Sequence, residues 1–282
     1  MLALFTSLAL VVSPAPTGEP TPSPAPPEVH PDPFDLALGA GDEAFAARDD
    51  PARLGAALAR YREALTLRPG DESALLALCR AEAFRARAVP EEALPAWREV
   101  TKDAEQALRT AAPGFAAALA RGEDPVRAAE AVEAPAAEPL YWLALGTLGL
   151  GQARGMAATL AVKEVARGLM ERAAHLDERV DHGGPYRALG AWFAALPSAA
   201  GGGAEAAGRA FARARALAPD YELTNLLEAQ TLAVLLQDRA RFEALLGEVL
   251  AFDETRAPEI APENRLAKKL AQDLLAREDR LF

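Results

Sequence analysis

The sequence holds one cysteine, Cys79, in 282 residues. An internal disulfide is therefore excluded. Cys79 lies in an alanine- and leucine-rich stretch, Ala74–Ala88, where a buried, inert thiol fits better than a nucleophile. Positive charge is also short: 30 Lys and Arg stand against 41 Asp and Glu, a formal net charge of −11. With no basic run, that balance argues against nucleic acid and against docking on anionic lipid. No stretch alternates apolar and polar residues with period two, so no strands are expected.

Chemical motifs are equally sparse. Gly149-x-Gly151-x3-Gly155 misses the dinucleotide fingerprint by one residue and follows a predicted helix, which points to close helix packing or a kink. Gly201-Gly202-Gly203 lacks the Lys-Ser/Thr of a phosphate loop. Of three histidines, His30, His175 and His182, the last two fall near Asp177 and Asp181. That spacing fits no standard metal site, and an inter-helix loop with capping aspartates is the better reading. No nucleophile, base and orienting group can be assembled, so no enzyme and no cofactor are expected.

What is present begins with an apolar stretch, Leu2–Val12, of signal-peptide length and too short to span a bilayer. Ser13-Pro14-Ala15 resembles a small-x-small cleavage site. No Lys or Arg precedes the stretch, however, and Pro16 would follow the cut, so cleavage and retention both stay open. No cysteine follows it, so a lipoprotein anchor is not expected. Pro14–Pro33 then holds nine prolines in twenty residues, a semi-rigid, polyproline-like tether. The expected organisation is a signal-like segment at 1–13, a tether at 14–33 and a helical domain at 34–282, exported to the periplasm or cell envelope.

The rest reads as helix, near 36–47, 51–67, 71–88, 91–111, 114–121, 125–132, 137–153, 157–175, 185–195, 204–217, 221–237, 239–252 and 262–279. Asp50-Pro51 and Asp124-Pro125 are N-cap and first-turn pairs. Within this helical run, Ala57, Tyr61, Ala64 and Pro69 carry the same offsets as Ala207, Phe211, Ala214 and Pro219. Both read A-x3-aromatic-x2-A-x4-P, the second helix of a tetratricopeptide-type (TPR) repeat. The small residues let a neighbouring helix approach, the aromatic fills the gap, and the proline sets the turn.

Tyr186, Leu189, Gly190 and Phe193 match the first helix of that repeat, and Trp142, Leu145 and Gly146 match it in part. Ala166, Met170 and Ala173 follow with second-helix offsets, though Glu178 stands where the proline belongs. The two first helices start 44 residues apart, against roughly 34 in a regular array. The fold class is therefore all-α, a divergent TPR-like solenoid of helical hairpins with long inter-helix loops. A plain Ala/Leu-rich bundle is the alternative. At 51% hydrophobic residues, either can bury a large core as one domain.

The second half resembles a known family. Tyr141-Trp142 opens a helix. Glu171-Arg172-Ala-Ala-His-Leu-Asp177 leads to His182-Gly183-Gly184-Pro-Tyr186-Arg187-Ala-Leu189-Gly190. Leu196-Pro197 precedes the glycine-rich turn, Gln237-Asp238 opens the Phe242–Leu250 helix, and Pro262-Glu-Asn264-Arg265 opens the last one. This order is similar to the T-component (TatT) family of tripartite ATP-independent periplasmic (TRAP) transporters, well over 140–277 and loosely over 38–120. The resemblance implies an all-helical protein outside the cytoplasmic membrane. It implies contact with the transporter's periplasmic substrate-binding protein and a cleft for a hydrophobic ligand; a homo-oligomer is left open. Candidate ligand- or partner-binding residues are Tyr141, Trp142, His182, Gly183, Gly184, Tyr186, Trp192 and Asn264. Of these, Trp142 and Tyr186 are better read as repeat core. The alternative function is a generic TPR-like interaction scaffold of the cell envelope.

Overall fold

The computed structural model describes residues 31–282, and Asp32–Phe282 form one compact unit. The signal-like segment and the tether up to residue 30 lie outside the described residues. Among the described residues every regular element is helical. The main helices are α1 (Pro33–Phe45), α2 (Pro51–Leu67), α3 (Glu72–Ala88), α4 (Ala93–Ala111), α5 (Pro113–Ala120), α6 (Pro125–Ala128) and α7 (Ala137–Arg154). They continue as α8 (Met156–Leu176), α9 (Val180–Ala194), α10 (Ala204–Leu217), α11 (Leu223–Glu228), α12 (Val234–Leu236), α13 (Arg239–Ala251) and α14 (Ala261–Leu275).

The starts follow from local chemistry. The carboxylate of Asp50 accepts from Ala52 N at 2.8 Å, and that of Asp124 accepts from Val126 N at 2.9 Å. Each is followed by a proline that gives up no helical hydrogen bond. Asp32-Pro33 is a third such pair, with Asp32 accepting from Phe34 N at 2.8 Å. Helix α1 therefore starts within the last residues of the proline-rich stretch.

Neighbouring helices pack on one another, α1 on α2, α3 on α4, α7 on α8 and α9 on α10, and α7 also packs on the more distant α4. Two of these pairs share one device. A side chain at Gly41 of α1 would overlap the Tyr61 ring of α2, and one at Gly190 of α9 would meet the Phe211 ring of α10 at 2.9 Å. Tyr61 and Phe211 are both fully buried, flanked by the buried alanines 57, 64, 207 and 214. In α7 the small face turns the other way. A side chain at Gly146 would meet Val100 and Thr101 of α4, earlier in the chain.

The segment expected as one helix over 221–237 is α11, a π-helical turn at Ala229–Ala233, and α12 in succession. It ends at Gln237 in the left-handed region (φ 54°), and Asp238 caps α13. Helix α14 then returns to the start of the unit. Its Leu266 joins the buried cluster of Ala57, Tyr61 and Phe84. Glu263 accepts from Arg48 Nε at 2.7 Å, both residues being more than nine-tenths buried. The first hairpin and the last helix thus share one core.

Candidate functional site

The site is built around the turn that opens α9. Asp181, His182 and Gly183 all have positive φ, at 47°, 56° and 74°. Two of the three carry a side chain, and each such residue costs roughly 1–2 kcal/mol in that region. Arg187, one turn along the same helix, offsets this. Its guanidinium donates to the carbonyls of His182 and Asp181, both at 3.0 Å, and to the Asp181 carboxylate at 2.7 Å. Tyr141 of α7 donates its phenol proton to the same carboxylate. Arg187 also lies over the Tyr221 ring, 4.4 Å from its centre, and His182 stacks on that ring at 4.8 Å.

Burial first, and the Asp181 carboxylate second, push the Tyr141 phenol well above its ordinary value of 10; the same causes raise Tyr221. Tyr141 is therefore a permanent donor at neutral pH. Asp177 accepts from Arg179 N at 2.9 Å. In the His175–His182 neighbourhood Asp177 is thus engaged by a backbone N–H and Asp181 by Tyr141 and Arg187.

Two cavities open on either side of the Tyr141–Asp181 bond. The larger, about 710 Å³, lies between α7, α8, α9 and α11, with Leu270 of α14 in its wall. Its surface is mostly apolar: Leu145 and Leu148 on α7, Leu160 on α8, Leu223 and Leu226 on α11. Met156 and Leu160 are large, exposed apolar side chains of that lining. The π-helical turn brings Gln230 and Thr231 to the wall. Trp97 of α4 also lines it, its indole filling the space above Gly149. That contact, and Gly151 against Val162 of α8, account for the glycine run as helix packing. The smaller cavity, about 430 Å³, is the more polar of the two, of mixed polar and apolar lining, and includes Arg80, Glu138, Asp177 and Arg179.

The eight candidate residues divide among these places. Tyr141, Gly184 and Trp192 line the apolar cavity. A side chain at Gly184 would collide with the Tyr141 hydroxyl. Trp192 is anchored by its Nε1–H, which donates to Lys163 O at 3.3 Å, and Arg167 covers its ring. Trp142 and His182 line the smaller cavity, and the Trp142 indole donates to Glu138 at 3.1 Å. Gly183 packs on the backbone of Ala214 in α10. Tyr186 is half-buried against the main core.

Asn264 lies apart from both cavities. It is fully buried, accepting from Glu222 N at 3.0 Å and donating to Asp220 O at 2.9 Å, a staple between α14 and the turn before α11. The residues that organise the site and are not among the eight candidates are Asp181, Arg187 and Tyr221. Asp181 and Arg187 flank the His182-Gly183-Gly184-Pro185 motif in the sequence, whereas nothing local marks Tyr221.

No helix among the described residues is long and apolar enough to cross a membrane. An uncharacterised protein of Treponema pallidum (strain Nichols) is 31% identical over 138 residues, which span 47% of this chain and 41% of that relative. The model of the family described as TRAP transporter T-component matches residues 56–282. The match runs from within α2 to the last residue and includes every helix that lines the apolar cavity, so the chain belongs to the TRAP transporter T-component family.

Proposed function

We propose that this protein is the periplasmic accessory component of a TRAP-type transporter, that it binds the transporter's substrate-binding protein, and that the apolar cavity takes a hydrophobic small ligand. The observation that carries the reading is an apolar cavity of about 710 Å³ within the family-matched region. Its size and its mostly apolar wall with a few polar groups suit a small molecule. On this reading the helices form a TPR-like stack. The glycine-on-aromatic contacts of α1 with α2 and α9 with α10 support that register. The chain acts by binding rather than by chemistry, with residues 1–13 as an export signal and 14–33 as a tether to the helical domain.

The test is direct. The substrate-binding protein of the cognate transporter is titrated into the full chain and complex formation is followed by calorimetry. A saturable complex is expected. Trp192→Ala and His182→Ala, measured separately, report which cavity the partner covers. If the wild-type chain forms no complex, the transport role falls and the generic envelope scaffold becomes the better account.

A further inference from the structure

The lining of the apolar cavity contains three cationic side chains, Arg87, Lys163 and Arg187, and no aspartate or glutamate. This is unexpected in a chain whose acidic residues outnumber its basic ones by 41 to 30. Two of the three charges are already matched. Arg187 is held by Asp181, and Lys163 lies 3.6 Å from Glu164. Arg87 is different. It is half-buried, and among the described residues it has no ion-pair or hydrogen-bond partner. Its guanidinium stands 5.9 Å from the centre of the Trp97 ring, itself part of the wall.

The guanidinium nitrogens of Arg87 still reach solvent, and a ligand filling the apolar cavity would displace that water, a loss that only an anion or a set of acceptors on the ligand restores. The planar fork of the guanidinium matches a carboxylate with two parallel hydrogen bonds. A neutral apolar ligand would leave Arg87 unmatched and shield it further, and a cationic one would be repelled. A phosphomonoester would bring nearly two charges to a wall with one to spare.

We propose that the cavity binds an amphipathic monocarboxylate, with the acid group on Arg87 and the apolar body along the leucine-lined walls of α7, α8 and α11. This rests on the reading of the cavity as a ligand site and names the chemical class it selects.

The experiment uses the full chain and a neutral fluorophore, N-phenyl-1-naphthylamine, displaced at neutral pH by decanoate, decanol, decylamine or decyl phosphate below their aggregation limits. Decanoate is expected to displace it at a concentration about tenfold below that of decanol, the difference a charge-assisted bidentate pair supplies. Arg87→Gln should abolish that preference by weakening decanoate while leaving decanol unchanged. Arg87→Lys should keep part of it. Leu148→Trp, which fills the cavity, should weaken all four. Circular dichroism checks that each variant is folded.

If decanoate and decanol displace equally, if Arg87→Gln changes neither, or if decyl phosphate or decylamine is preferred, the carboxylate assignment is overturned while the cavity remains a ligand site. If the fluorophore and all four competitors fail to bind, or if Leu148→Trp leaves their binding intact, the ligand-site reading falls, and this inference with it.

Discussion

Ala214 has no exposed surface and lies against the backbone of Gly183, where α10 meets the turn that opens α9. Asp at this position would bury a carboxylate with no partner. We expect Ala214→Asp to cost on the order of several kcal/mol, read as a drop in melting temperature. A melt within about a degree or two of wild type would mean that α9 and α10 do not pack as described. Glu82 makes a different test. It is fully buried and ion-paired to Arg62 and Arg85, yet burial outweighs those charges and raises its carboxyl above the ordinary 4.5. Asp103 and Glu222 are raised by burial too.

A carboxyl whose folded pKa exceeds its unfolded value binds its proton more tightly when folded, so stability increases as pH falls through that window. Melting temperature should therefore rise on acidification from neutral towards the ordinary carboxyl range. It should fall again below that range, where the side-chain hydrogen bonds from Arg265 and Lys268 that hold Asp49 and Glu254 low are lost on protonation. Glu82→Gln should flatten the rising part of that profile. An unchanged slope would show that Glu82 does not titrate in this window.

Among the elements, the opening of α9 is the most constrained. Gly183 combines a positive φ of 74° with a backbone contact that would place a Cβ 3.1 Å from Ala214 O. Gly183→Ala should cost about 1–3 kcal/mol, visible in chemical denaturation. Loss of only a few tenths would mean that the turn relaxes out of the left-handed region.

This element also marks where sequence reasoning stops. Helix positions were legible because their signals are local: Asp-Pro at the starts of α2 and α6, and repeat offsets that placed Tyr61 and Phe211 in the core. The left-handed pair Asp181-His182 is decided instead by Arg187 and by Tyr141, which is 40 residues away. Arg187 lies within a local window, but the contribution of Tyr141 does not. The division of Tyr141 and Trp142 between two cavities follows from the roughly 100° that separates adjacent helix positions. Which of the two would face apolar space depended on α11 and α14. Asn264 stands in a legible motif, but its role as a buried staple depends on Asp220 and Glu222, more than 40 residues earlier.

At the scale of the whole molecule, α14 does two things at once. Leu266 packs with the first hairpin, while Leu270, one turn on, lines the apolar cavity. The Arg48–Glu263 pair fixes this helix, with Arg48 also donating to the carbonyls of Phe45 at 3.0 Å and Glu259 at 3.1 Å. Removing one partner leaves the other charge buried and unmatched, which typically costs about 3–5 kcal/mol. Arg48→Ala should therefore lower the melting temperature strongly. Replacing both residues together, Arg48→Met with Glu263→Met, should recover most of the loss, since two apolar side chains of similar length fill the same space. If Arg48→Ala melts like wild type, α14 is not held by this pair. The same variants separate closure from ligand binding. Loosening α14 withdraws Leu270 from the cavity wall without touching Arg87. Arg48→Ala should then weaken decanoate and decanol alike and leave their ratio unchanged, whereas a change in the ratio would place the clamp and the anion site in one network.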